Sequence, residues 1–246
     1  VKHYFKIALR NLGRQKILSF INVLGLSIGL ACFALFLLYA VNEFNFDRFH
    51  KNADNIYRVY RWSDGMEGRE AGGDVYMPSP LGSALKNDLP GIVDYVRIRE
   101  PWGESFIKAG GDTRRMQVSF ADPSFFSVFS FPLLYGTTTT ALKDLQNIVI
   151  TRVKAKELFG TDNVVGRMIE IKMDEKFIPF TISAVAKDIP ANSSLQFELL
   201  GNFNYMETTS SGKRGVNNWN RSAYITYVQL NPGSGLANDA QKLVAF

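Results

Sequence analysis

Between Ile17 and Val41 the chain runs for 25 positions, ILSFINVLGLSIGLACFALFLLYAV, without a charged side chain. Only Ser19, Asn22 and Ser27 are strongly polar in that stretch. At ~1.5 Å per residue a helix of this length reaches roughly 37 Å, enough to cross a hydrocarbon layer of ~30 Å with some tilt. The pattern predicts a transmembrane helix over 17–41. On one of its faces Gly25 and Gly29 form a GxxxG, the spacing that lets a second helix backbone approach closely, so these two residues are candidates for helix packing.

Upstream, Lys2, Lys6, Arg10 and Arg14 recur every fourth residue, and Phe5, Leu9 and Leu12 follow a helical apolar spacing. Residues 1–16, ending at Lys16, therefore read as a short amphipathic basic helix in the inner headgroup layer, with its cations on lipid phosphates. The plainer reading is a positive flank and nothing more. Downstream, NEFNFDRFH has no helix breaker and can carry the helix out of the bilayer as a stalk over Asn42–Phe49.

Beyond the stalk the period shortens. IYRVYRW from Ile56 suggests a first strand, and the glycines and charges of Ser63–Gly73 mark a turn or loop. A helix near Ser79–Asn87 follows, then strands at Ile92–Arg99 and Arg115–Phe120. Asp122 followed by Pro123 reads as the N-cap of a short helix. Further strands are expected at Asn147–Thr151, Arg167–Met173, Phe177–Asp188 and Ser222–Leu230. A helix at Val153–Phe159 closed by Gly160 and a helical LANDAQKLVAF at the end complete the pattern. The fold class expected is α+β: one N-terminal transmembrane helix, then a mixed α+β extracytoplasmic domain over 42–246, in two lobes.

Charge sharpens the topology. The formal charge of +5 equals the contribution of Lys2, Lys6, Arg10, Arg14 and Lys16, because no acid precedes Glu43 and the remainder is balanced. Positive flanks stay in the cytoplasm, which places the N-terminus inside and the C-terminal domain outside. Cations beside a span point to membrane lipid rather than to nucleic acid. The apolar run is longer than the core of a signal peptide, and Leu38–Ala40 matches a cleavage site poorly, so an uncleaved anchor is favoured.

Candidate chemistry is sparse. Cys32 lies inside the span, so the outer domain holds no disulfide of its own and is stabilised by its core. His3 and His50 are the only histidines and fall on opposite sides of the membrane, which excludes a His/Cys zinc site within the chain. His50 reads as a stalk or surface residue, and no G-x-S-x-G accompanies it. Gly160–Arg167 has one residue too many for a phosphate loop and lacks its Lys. Ser83–Lys86 matches S-x-x-K without the companion motifs. No catalytic residue, metal or cofactor is expected. As a mechanical element, Glu43 or Asp47 is expected to pair with Arg58 and fix the stalk against the first strand, with simple surface charge as the alternative.

Several ordered blocks resemble the MacB/FtsX-like ABC transporter permease family. KIALRNLGRQKILSFINVLGLSIGLA is similar to the opening helix and first span. FNFDRFHKNADNIYRVYR resembles the FDxFH…IYRV segment of its periplasmic core domain. VSFADPSFFSVFSFPLLYG, IVITRVKAKELFG, FTISAVAKDIPANSSLQFELL and NNWNRSAYITYVQL follow in the family's order. The resemblance implies a non-catalytic permease subunit of a bacterial inner membrane. Its partners would be a cytoplasmic ABC ATPase, a second permease half, and a periplasmic adaptor or cargo such as lipoprotein, peptide or antimicrobial compounds. It also implies further spans after the core domain, so the chain is expected to be a piece of a longer permease. The alternative from another class is a single-span sensor or regulator of a cell-envelope enzyme.

Overall fold

A computed structural model describes residues 4, 10, 14–63 and 72–236. They fall into two units, one up to Phe46 and one from Asp47 onward.

The first unit is dominated by helix α1, Lys16–Phe44, whose 29 residues include an 18-residue window of mean hydropathy 2.4. None of its side chains is buried, and large apolar groups such as Phe33 and Leu38 are about two-thirds exposed. A helix apolar on all sides has no wet face to turn to water, and its length and composition suit a bilayer. The helix extends the expected span by one residue at its start and three at its end. The stalk, however, does not continue to Phe49. The Asn45 and Phe46 amides close back onto Val41, Asn42 and Glu43 carbonyls, and Asp47 then takes a left-handed φ of 57°. No residue in NEFNFDRFH forbids a helix, but Asp47, the first residue of the second unit, is hydrogen-bonded to Asn192 and Ser194 of that unit instead of continuing one.

The second unit is a mixed α+β structure. Its strands are β1 (Ile56–Arg58), β2 (Arg61–Ser63), β3 (Gly72–Asp74), β4 (Tyr76–Pro78), β5 (Ile92–Arg99), β6 (Glu104–Ala109), β7 (Asp112–Ala121), β8 (Leu133–Tyr135), β9 (Asn147–Thr151), β10 (Met168–Met173), β11 (Lys176–Ala186), β12 (Leu199–Asn202) and β13 (Ser222–Leu230). The helices are α2 (Leu81–Asp88), α3 (Phe125–Val128), α4 (Arg152–Phe159) and α5 (Ser210–Lys213). The strands expected at 92–99, 147–151 and 222–230 occur with those bounds. The expected helix at 153–159 begins one residue earlier and ends at Gly160, whose φ of 70° suits a residue without Cβ.

Eleven strands share one sheet, and its hydrogen-bonded path closes. β6 pairs with β7 on one edge and with β10 on the other, so β6, β7, β12, β9, β11 and β10 form a ring. A small closed ring has room inside for side chains only. Here they are Ile107, Met116, Val118, Phe120, Ile148, Ile150, Ile169, Ile171, Phe180, Ile182 and Leu199, all in one buried cluster. Alternation sends Val149, Ala184 and Leu200 to the opposite face, where they join a second cluster with Phe125, Phe126, Phe129, Phe131 and Phe197. β9 is thus covered on both faces, which is why NIVIT reads as an unbroken apolar run.

From β7 the sheet branches through β5 to β13, whose outer edge takes β1 and β4. Leu81, Leu85 and Leu89 of the α2 segment cover this flank with Met77, Val228 and Leu230. Between β1 and β4 the chain leaves the sheet as the separate β2–β3 hairpin.

Asp122 does not cap α3. Its carboxylate accepts from the Arg97 amide and guanidinium at 2.7–2.9 Å, and α3 begins after Ser124. Arg97 also donates to Ser79 Oγ at 2.9 Å and lies 4.1 Å from the Phe203 ring centroid. A buried guanidinium is a stronger partner for this carboxylate than a helix amide, so the capping signature is diverted. Burial works against the charge on Arg97, but the bonds and attraction from Asp122 prevail and its pKa rises. Apart from Leu236, which joins the α2 cluster, the expected helical LANDAQKLVAF lies outside the described residues, as does most of the Ser63–Gly73 loop.

Candidate functional site

The segment Asp47–Lys51, which opens the second unit, is held at two places by later parts of the same unit. Its first holder is the loop before β12: the Asp47 amide donates to the Asn192 carbonyl at 2.9 Å, and Asp47 Oδ1 accepts from the Ser194 amide at 2.8 Å. Its second holder is the turn after α3. His50 Nδ1 accepts from the Ser130 amide at 3.1 Å, and the Lys51 amide donates to Ser130 Oγ at 3.0 Å. Between these anchors Phe49 and His50 pack against Phe131, with ring centroids at 5.5 and 5.0 Å.

His50 is therefore not a surface residue; it is 6% exposed and lies among Phe49, Phe129 and Phe131. An imidazole accepting at Nδ1 is neutral, with its proton on Nε2. Burial lowers its pKa from the ordinary value of 6.5, partly opposed by Asp47. A lone histidine in a polar segment gave no signal of this, because Phe129, Phe131 and the Ser130 amide that enclose it come from a segment some 80 positions away.

Asp47 and Arg58 form no direct ion pair among the described residues. They meet at Tyr227, the cross-strand partner of Arg58. The buried Tyr227 phenol feels the charges of Arg58 and Asp47, with Ser194 close enough to influence it. Burial is the largest influence and raises its pKa, the Arg58 charge opposing it. Tyr227 was not singled out from sequence; its alternation in SAYITYVQL marks it as core-facing but not as a hub. Glu43 lies in the last turn of α1 and is exposed.

Of the membrane-surface candidates, Arg10, Arg14 and Lys16 are exposed, and Lys2 and Lys6 lie outside the described residues. Gly25 and Gly29 have no other part of the described chain within 4 Å of where a Cβ would sit, so that helix face is open. Among the described residues no cluster of His, Cys, Asp and Glu has the grouping of a metal site.

Residues 19–246 match the family described as MacB-like periplasmic core domain. The chain belongs to that family. Three solved structures share its fold. A domain described as part of a permease protein from Porphyromonas gingivalis aligns with a TM-score of 0.66 at 24% identity, over 80% of this chain and 81% of that one. The periplasmic region of MacB from Actinobacillus actinomycetemcomitans gives 0.54 at 14%, over 76% and 80%. The extracellular domain of the noncanonic ABC-type transporter YknZ from Gram-positive bacteria gives 0.52 at 16%, over 75% and 88%. A search of the curated proteins returns no significant match. The chain is thus a MacB-like core domain preceded by an apolar helix of membrane-spanning length, in a family of ABC transporter permeases.

Proposed function

We propose that this MacB-like domain is the extracytoplasmic working part of an ABC permease, and that residues 47–51 are the point at which motion of α1 reaches it. α1 sits in the bacterial inner membrane with its basic end in the cytoplasm and the domain in the periplasm. A cytoplasmic ABC ATPase supplies the motion through other regions of the permease, which works with a second permease half. The displaced domain drives export or extraction of a lipoprotein, peptide or antimicrobial cargo, alone or through a periplasmic adaptor.

One observation carries this reading: four hydrogen bonds within five residues tie Asp47–Lys51, shortly after α1, to the loop before β12 and to the turn after α3. A short segment bonded at both ends transmits displacement, whereas an untethered linker of the same length would absorb it.

The test is Asp47→Ala in the complete permease with its ATPase, reconstituted in proteoliposomes. Transport is expected to fall several-fold while ATP hydrolysis persists, because the Ser194 anchor is lost. Arg58→Ala, which frees one side of Tyr227, should weaken transport without preventing folding. Transport at the unaltered level in both variants would remove the coupling role.

A further inference from the structure

One end of the ring, where β6 begins and β10 stops, carries a shallow recess of about 190 Å³. Phe120, Ile171 and Met206, all buried, close the ring beneath it, so a ligand here sits on the rim and not in the interior. Trp102 stands on that rim and is 78% exposed. The Arg99 guanidinium lies over its ring, 4.8 Å from the centroid, and braces it. The rest of the indole is open apolar surface. Five charged side chains line the recess. Three of them are engaged: Glu100 accepts from the Tyr76 phenol, Lys172 pairs with Glu175, and the Asp174 carboxylate accepts from the Ser210 amide. Arg99 and Glu104 are not. Among the described residues neither side chain has a hydrogen bond or an ion pair, and although opposite in charge they do not pair with each other. Arg97, two positions earlier on the same strand face, shows the contrast, with Asp122 and Ser79 as its partners. Burial is the largest influence on the Arg99 pKa and lowers it, the Arg221 charge acts the same way, and only Tyr224 opposes them.

We infer that this recess binds one pyranose ring, a sugar laid with its C–H face on Trp102, its hydroxyls accepting from Arg99 and donating to Glu104. A guanidinium presents only donors and an ionised carboxylate only acceptors. Sugar hydroxyls do both, so a single ring serves the two groups and covers the indole as well. A simple anion would satisfy Arg99 and be repelled by Glu104; a simple cation would meet the reverse. Space agrees with this choice. A cavity of ~150 Å³ holds benzene, so about 190 Å³ accepts one six-membered ring whose substituents point to solvent. The site does not depend on the coupling role proposed above.

The experiment titrates the full chain in phosphatidylcholine nanodiscs with the methyl glycosides of glucose, galactose, mannose and N-acetylglucosamine, read by saturation-transfer NMR with empty nanodiscs as the blank. Cyclohexanecarboxylate and cyclohexylamine serve as an anion and a cation of matched ring size. At least one glycoside should bind saturably and more tightly than either ion. Trp102→Ala should weaken it about fivefold, the size of one stacking contact, and Arg99→Met about tenfold, the size of a charge-assisted hydrogen bond. Glu104→Gln, at an exposed position, should weaken it about threefold. Trp219→Ala removes an exposed indole outside the recess and should leave the affinity unaltered. The three positions 102, 104 and 219 are exposed, so the fold survives their replacement whatever Arg99→Met does. Absence of saturable binding by all four glycosides, a glycoside affinity unmoved by Trp102→Ala, or tighter binding of either ion would overturn the site.

Discussion

Burial among Phe49, Phe129 and Phe131 holds the His50 imidazole neutral, and that has a consequence for stability. Its folded pKa lies below the unfolded value of 6.5. The stabilisation is therefore complete above pH 6.5 and is lost as the pH falls from there through the folded pKa, where the unfolded chain binds a proton that the fold refuses. Thermal unfolding followed from pH 8 to pH 5 should show a decline in Tm below about 6.5, the intrinsic titration range of histidine. His50→Gln keeps an acceptor for the Ser130 amide and should flatten that decline; an equally steep profile would exclude His50 as its source. At Arg97 the argument is electrostatic. Its guanidinium is 10% exposed and bonded to Asp122, so Arg97→Leu strands a carboxylate in the core. The expected cost is about 3–5 kcal/mol, measured by urea unfolding. Replacement by an exposed-site mutation such as Arg114→Leu, whose contacts to Asp112 and Glu157 are long and wet, should cost under about 1 kcal/mol.

Among the elements, the β10–β11 hairpin shows how much local sequence can specify. RMIEIKM and FIPFTISAVAKD alternate in and out of the ring, and the two strand patterns leave Asp174–Lys176 between them as the hinge. The geometry of that hinge was not legible: Asp174 and Glu175 both take positive φ, 45° and 66°. Asp174 is repaid by the Ser210 amide that its carboxylate accepts at 2.7 Å, whereas Glu175 has only an exposed contact to Lys172. Glu175→Gly should therefore raise stability by about 1 kcal/mol through release of left-handed strain, read as a shift in the urea midpoint. A lowered midpoint would show that the Lys172 contact matters more than the backbone. Shorter elements escaped sequence reading for a plain reason. β8 and β12, at three and four residues, offer too few positions for a period of two to declare itself, and in β6 the apolar Phe106 on the outer face blurs the alternation of the buried Ile107 and Ala109. The Asp122 cap was read from a sound local rule and was overruled by Arg97, 25 residues earlier.

For the whole molecule, the topology proposal has its own check. With the basic end inside, a protease added to intact spheroplasts should digest the domain from Asp47 onward and spare the N-terminal segment. Protection of the domain would reverse the orientation, and extraction of the chain without detergent would remove the membrane reading altogether.

An apolar helix of membrane-spanning length, a mixed α+β domain after it, and a family signature in ordered blocks all followed from the order of residues, because each rests on neighbours in sequence: an uncharged run, a period, a spacing. The ring closed by β6, the end of α1 at Phe44, the burial of His50 and the grip of Ser130, Ser194 and Tyr227 on residues 47–58 did not. Each depends on which distant groups arrive at the same place with a hydrogen bond to offer. One-dimensional patterns report how a residue would behave beside its neighbours; only packing decides whether a carboxylate caps its own helix or a guanidinium from another strand.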